Sequence, residues 1–305
     1  MIVIILLLGH TFQNKPLVTR EYIEELRKQV TWEVVSYEDN IFKDWTEEDF
    51  VDSFGNDNYI EPVEVHADRE FRILSTLPDN FDGREEWGPC IHPIRYQGLC
   101  GSCWSFALTS ALSDRFCIGG YDVILSPQYL IACVKDVDIS GCKGGNSVKA
   151  MQHIITNGVV TEKCYPYTLA RTKTTPSCPT QCTGYGSWTE RYRCKPGSNK
   201  VLRDVEDMKW EIIKNGPICT HFEHRQSFNV YKSGIYDCAD DPSYKNVGHF
   251  LKTIGWGMDN ETEYWILANS YGRAWGEAGY IRFKMGACGI DNYMYICTPD
   301  IYPAS

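Results

Sequence analysis

Apolar and polar positions divide the chain into stretches of different rhythm. Ile2 to Leu8 form an unbroken apolar run that ends at Gly9, His10 and Thr11. Seven residues are too few to cross a bilayer, which takes about 20 in a helix. The run instead fits the core of a short secretory signal over residues 1–11, although no Lys or Arg precedes it and no A-x-A site follows. The competing reading is a buried strand. From Lys15 to Thr76 apolar positions are sparse. Ile23, Leu26 and Val30 recur at helical spacing behind Thr19, a predicted N-cap. Thr46 and Asp49 have capping-box spacing, and Phe50 and Phe54 then fall one turn apart on one face. Such narrow stripes predict short helices that dock on a larger body; the alternative is an acidic linker.

Further on the pattern thickens. Trp104, Leu108, Ala111 and Leu112 give an apolar helical face, with no Gly or Pro from Trp104 to Cys117. Gly248–Gly257 and Tyr264–Ser270 read as apolar strands on either side of a polar turn at Asp259-Asn260, hence a hairpin. A hairpin centred on Asp259 sets His249 opposite Asn269, side chains on one face and roughly 5 Å apart at Cβ.

Composition separates the same stretches. The 305 residues are 43% hydrophobic and 23% charged, which is globular. The net charge of −10 argues against nucleic acid as a partner, since phosphate binding needs a clustered basic surface. Residues 1–76 hold 7 basic and 16 acidic groups and so carry nearly all of it. All 14 cysteines lie between Cys90 and Cys297, which predicts a disulfide framework made in the oxidising secretory pathway. Cys100 and Cys103 form one C-x-x-C, but no second ligand pair follows at zinc-site distance and no βαβ setting supports a redox motif. No metal or cofactor is expected, and no membrane span.

Chemistry concentrates at Gln97-Gly98-Leu99-Cys100-Gly101-Ser102-Cys103-Trp104-Ser105-Phe106. Cys103 falls in the first turn of the predicted buried helix, where the dipole and free N–H groups favour a thiolate. Gln97 offers a side-chain amide which, with the Cys103 N–H, makes an oxyanion hole. A nucleophilic thiol needs a base and a group that orients the base. His249 and Asn269 have that relationship: an amide oxygen holds one ring nitrogen and turns the other toward the thiol.

With these motifs in place, the chain resembles the papain family of cysteine proteases, in its cathepsin B branch, over about residues 15–297. Leu77-Pro78-Asp79-Asn80-Phe81-Asp82 resembles the start of a mature enzyme, and Ser126-Pro127-Gln128, Gly141-Cys142-Lys143-Gly144-Gly145, Gly216-Pro217, Trp275-Gly276 and Cys288-Gly289-Ile290 are further landmarks. The resemblance implies an α+β fold of two lobes, a helical one bearing Cys103 and a β-barrel-like one bearing His249 and Asn269. It implies residues 12–76 as an inhibitory prosegment, removed on activation, and residues 77–305 as the protease domain, a monomer. Gln97 is implied as oxyanion donor, Cys103 as nucleophile, His249 as general acid/base and Asn269 as its orienter. Gly144 and Gly145 are implied as backbone partners of an extended protein or peptide substrate, where glycine permits close approach. Implied disulfides are Cys90–Cys117, Cys100–Cys142, Cys133–Cys178 and Cys164–Cys182. Cys194, Cys219, Cys238, Cys288 and Cys297 remain, so at least one thiol beyond Cys103 stays unpaired. The implied setting is an acidic lysosome-like vacuole or the exterior. A transpeptidase or ligase on the same scaffold, and a peptide-binding homologue without activity, are the competing readings; the intact Gln–Cys–His–Asn set argues against the second.

Departures from that pattern are informative. Cathepsin B carries an occluding loop with a His-His pair that captures a substrate's C-terminal carboxylate. Here only 13 residues separate Cys164 from Cys178, with no histidine and no inner cysteine pair. Tyr293 stands where cathepsin B has a Glu at the floor of its second specificity pocket, so apolar or aromatic residues are expected there in preference to Arg; Asp291, two positions away, is expected to restore part of the acidity. Tyr271 replaces a Trp that shields the His–Asn hydrogen bond, and Phe250 replaces a small residue. Asn260-Glu261-Thr262 is a glycosylation sequon, or an ordinary polar turn.

Overall fold

The computed structural model describes residues 15–53, 76–135, 141–239 and 243–301. The expected signal at 1–11 and Phe54 lie outside these residues, as does most of the stretch leading to the expected boundary at residue 77.

In the amino-terminal segment, Thr19 accepts from the Tyr22 N–H and caps helix α1 (Arg20–Leu26), which buries Ile23 and Leu26. Strand β1 (Glu33–Val34) follows, then helix α2 (Glu47–Ser53). Thr46 and Asp49 cap α2 reciprocally: the Asp49 N–H donates to Thr46 Oγ1 at 3.0 Å and the Thr46 N–H to Asp49 at 3.2 Å. Leu17, Val18, Trp32, Val34, Phe42 and Phe50 all enter the hydrophobic core shared with the main body, so the segment is docked and not a free linker.

The body begins with β2 (Phe81–Asp82) and α3 (Gly83–Glu86), then α4 (Cys103–Ile118), α5 (Pro127–Cys133), α6 (Ser147–Asn157), β3 (Lys200–Leu202) and α7 (Val205–Asn215). The strands β4 (Ile218–Arg225), β5 (Tyr231–Ser233), β6 (Ile235–Tyr236), β7 (Ser243–Asp259), β8 (Thr262–Ala268), β9 (Tyr280–Lys284) and β10 (Met294–Ile296) complete it. One sheet runs in the order β3-β10-β4-β7-β8-β9-β6, with β2 added beside β7; β5 instead pairs with β1.

Helix α4 was expected to show one apolar face. It is buried on almost every side, 13 of its 16 residues, because it lies between the other helices and strands β4 and β7. Its polar side chains are satisfied internally. Ser105 Oγ donates to the Pro127 carbonyl at 2.7 Å, and Asp114 and Arg115 form buried ion pairs with Lys252 and Glu211. The helix that carries Cys103 is thereby tied to the strand that carries His249.

The hairpin of β7 and β8 turns at Asn260 and Glu261, both with positive φ (45° and 63°), and pairs Asp259 with Thr262. Two left-handed residues are the signature of the tight turn that matches strand twist. The expected centre at Asp259 is therefore off by more than a residue, and a bulge between Thr253 and Gly255 shifts the register again. Near the site Lys252 pairs with Ala268, a register that carries His249 opposite position 271 and leaves Asn269 diagonal to it. The shift is an even number of residues, so Asn269 keeps the same face.

Six disulfides form: the four pairs implied above, plus Cys194–Cys297 and Cys238–Cys288. Cys103 and Cys219 are the two cysteines in no disulfide. Among the described residues no helix is long and apolar enough to cross a membrane.

Candidate active site

Cys103 is the first residue of α4, placed there by a tightly constrained loop. Gly98 has φ +63°, and a Cβ at this position would meet the Ala170 carbonyl oxygen at 2.0 Å, so only glycine fits. The Leu99 N–H donates to that same carbonyl at 3.0 Å, the Gly101 N–H to Cys142 at 2.9 Å, and Cys100–Cys142 locks the two strands of chain together. The thiol sits at a helix N-terminus, buried, where the dipole favours the anion.

Gln97 is gripped on all sides. Its N–H donates to the Ser270 carbonyl at 2.9 Å, and its own carbonyl accepts from the Tyr167 hydroxyl at 2.6 Å. Ser270 Oγ donates to Gln97 Oε1 at 2.6 Å, which fixes the amide with its nitrogen toward the Cys100–Cys103 loop; Nε2 donates to the Cys100 carbonyl at 3.3 Å. An amide nitrogen carries two hydrogens, so one donor remains for a developing oxyanion.

His249 is fully buried and its Nε2 lies 2.8 Å from Asn269 Oδ1. The Ser270 N–H donates to that same oxygen at 2.7 Å, which identifies the oxygen and makes Nε2 the protonated nitrogen. Nδ1 is thereby left to exchange a proton with a thiol. Burial pushes the His249 pKa down to about 3; the Asn269 hydrogen bond opposes this and the nearby His221 ring adds to it. The ring stacks on Tyr271, centroids 4.8 Å apart and 29° between planes. Tyr271 occupies the shielding place expected of a Trp.

The substrate-facing expectations fare differently. The Gly144 N–H donates to the Gly101 carbonyl at 3.1 Å and is spent inside the protein. At Gly145 an added Cβ would meet the Trp104 indole at 2.2 Å, so glycine is required there by Trp104 packing as well as by any ligand. Tyr293 is half-buried, with the Arg203 guanidinium 4.8 Å over its ring. Asp291 is held in place by two donors. One of its oxygens accepts from the Trp265 indole at 2.6 Å and the other from the Gly286 N–H, so both carboxylate oxygens already have partners.

Residues that the sequence did not single out complete the site. Ser270 orients Gln97, and Tyr167 ties Gln97 to Ser102, with 3.1 Å between the hydroxyls. His224 lies with its ring 6.1 Å from that of His249. Ser270 follows Asn269 directly and was open to inference; nothing local marks Tyr167 or His224. The amino-terminal segment covers this region: Phe42 packs edge-on to Tyr271 at 5.1 Å and Phe50 against His224 at 4.7 Å. Among the described residues His92, Cys117 and Asp122 come close enough to hold a cation, but Cys117 is bonded to Cys90 and His92 already meets Asp122 at 3.0 Å.

Comparison with known proteins shows what the chain is similar to. Residues 77–298 match the family described as papain family cysteine protease. A gut-specific cysteine proteinase of Caenorhabditis elegans is 32% identical over 305 residues, covering 91% of this chain and 92% of the relative. Cathepsin B-like cysteine proteinase 5 of the same nematode is 34% identical over 275 residues, covering 77% and 79%. Among solved structures, proCathepsin B S9 from Trypanosoma congolense superposes with a TM-score of 0.82 at 28% identity, over 93% of this chain and 99% of that one.

Proposed function

From the premise that the chain belongs to the papain family of cysteine proteases, we propose that it is a cathepsin B-like cysteine endopeptidase made as a zymogen. The observation that supports the mechanism is the His249–Asn269 bond through Nε2, which leaves Nδ1 as the nitrogen available to a thiol. His249 takes the Cys103 proton as Sγ attacks a peptide carbonyl. Gln97 Nε2 and the Cys103 N–H hold the oxyanion. The tetrahedral intermediate collapses to a thioester as His249 gives its proton to the leaving amine. A water then loses a proton to His249 and attacks the thioester, which releases the acid and restores the thiol.

The amino-terminal segment, residues 12–76 in the proposed division, is the inhibitor. It keeps His249 in an apolar, water-free setting where the imidazolium is disfavoured, and it lays Phe42 and Phe50 over the residues beside it. The six disulfides fit a secretory route, to an acidic vacuole or the exterior.

Endoproteolysis is favoured over removal of C-terminal dipeptides. The chain between Cys164 and Cys178 is short and packs its Ala170 carbonyl onto Leu99, beside the nucleophile loop, and it offers no histidine to a terminal carboxylate. Matched peptides with free and amidated C-termini test this. Internal cleavage that ignores the terminus is expected; dipeptide release at rates rivalling internal cleavage would contradict it. Adding an amine acceptor to the same assay separates hydrolysis from transpeptidation by the products formed.

A further inference from the structure

Among the described residues, strand Tyr231–Ser233 pairs with no strand other than Glu33–Val34 of the amino-terminal segment. The docked strand is held by three kinds of contact. The Val35 N–H donates to the Val230 carbonyl at 2.9 Å, extending the backbone ladder. Trp32 is buried, with its ring 5.8 Å from Tyr231 and 5.2 Å from Tyr236, and its indole N–H donates to Asp237 at 3.0 Å. Glu33 accepts from Ser233 Oγ at 2.8 Å and meets the Lys232 ammonium at 3.2 Å. None of these groups belongs to the catalytic set. From Val34 the chain reaches Phe42 on Tyr271 within eight residues, anchored two residues before Phe42 by Asn40 on the Asn229 carbonyl.

We propose that, once the segment has left, this edge with its indole slot is a second peptide-binding site, which takes an extended acidic stretch of a protein substrate carrying a tryptophan. The ladder supplies affinity, the Tyr231–Tyr236–Asp237 slot selects an aromatic side chain with an N–H donor, and Lys232 with Ser233 selects a neighbouring carboxylate. A substrate held there presents a bond some eight or more residues away at a raised local concentration, which lowers KM and leaves kcat alone. The inference rests on the protease reading above.

The test uses mature enzyme obtained by processing of the full chain. A synthetic peptide of residues 29–38 is titrated against it by calorimetry, beside its Trp32→Ala form. Two fluorogenic substrates share one cleavage site, and one of them carries the 29–38 strand across a flexible linker, placed before the site or after it. Saturable binding of the peptide, at least about tenfold weaker for Trp32→Ala, is expected, together with a KM about tenfold lower for the linked substrate in one of the two orders. Asp237→Ala, which removes the acceptor of the indole N–H, should shrink the Trp32→Ala difference, raise the KM of the linked substrate and leave the short substrate unaffected; if that variant fails to fold, Lys232→Ala, which removes the partner of the carboxylate, should raise the KM of the linked substrate alone. Equal KM for linked and unlinked substrates, or competition of the peptide with the short one, would overturn the exosite. A mature enzyme that cleaves neither substrate would instead count against the protease reading, and peptide binding would still report on the slot.

Discussion

Tyr271 lies nearly flat on His249, on the ring whose Nε2 is bonded to Asn269. A ring so placed would keep water from competing for that bond, and Trp275 and Phe228 pack against it, 5.6 and 6.1 Å away. Tyr271→Ala should lower kcat by about tenfold, equivalent to about 1.4 kcal/mol in the barrier, with a smaller change in KM. Tyr271→Trp should preserve or raise kcat. Steady-state kinetics of the two variants decides the matter, and an unchanged kcat for the alanine form would remove the shielding role.

Acid should release the amino-terminal segment in two stages. His224, beneath Phe50, is held well below its ordinary pKa by burial and then by the nearby His249, against the pull of Asn229. Once freed it binds a proton that the docked form does not, so docking is at full strength above about pH 6.5 and weakens below it, by up to about tenfold per pH unit. Carboxylates act in the opposite sense and lower down. Burial pushes Asp49 up, but Thr46 and Lys173 outweigh it and hold it below the usual range; Ser233 and Lys232 lower Glu33. Their contribution is complete above about pH 4 and is lost as pH falls through their lowered docked values. Proenzyme conversion followed by gel across this range should accelerate first below about pH 6.5 and again near 4. His224→Gln should weaken the first stage, His249 supplying what remains of it, and a variant profile that overlays the wild type would exclude His224 as a sensor.

The buried pair Asp114–Lys252 joins α4 to β7, three residues from His249, and Asp114 also accepts from the His92 N–H at 3.1 Å. Lys252→Met leaves the fully buried Asp114 carboxylate with His92 alone, whose ring Nδ1 lies 2.8 Å from it, and should cost up to about 3–5 kcal/mol of stability. Asp114→Leu combined with Lys252→Met should recover much of that loss. Urea midpoints of the single and double variants are the readout; equal midpoints for wild type and Lys252→Met would show that the pair contributes nothing.

If Tyr293 floors the second specificity pocket, as the resemblance implies, that pocket presents a phenol ring with the Arg203 guanidinium over it, and Asp291 is bonded to Trp265. Substrates with Phe at that position should exceed those with Arg by about tenfold or more in kcat/KM, the size of one lost charge pairing. Arg203→Ala should narrow the gap. A preference for Arg in the wild-type enzyme would place Tyr293 outside the pocket.

Local signals were the most legible part of the sequence. Thr19, and Thr46 with Asp49, act within four residues of themselves, and their caps form as spacing predicts. The nearness of His249 and Asn269 was readable despite a misplaced turn, because an even register shift keeps a residue on its face. What the sequence hid depends on distant partners. Asp291 looks free until Trp265, 26 positions earlier, donates to it. Gly145 has a second reason to be glycine that the sequence does not reveal, because Trp104 fills the space beside it. His224 has no motif at all; only the fold brings it to His249 and beneath Phe50.

Everything rests on Cys103 as the nucleophile. Wild type and Cys103→Ala, both freed of the amino-terminal segment by the same added protease, are to be compared on a blocked fluorogenic peptide. Hydrolysis by the variant should fall by more than about 10³-fold while its folding is unchanged. Activity in Cys103→Ala equal to that of the wild type would contradict the mechanism.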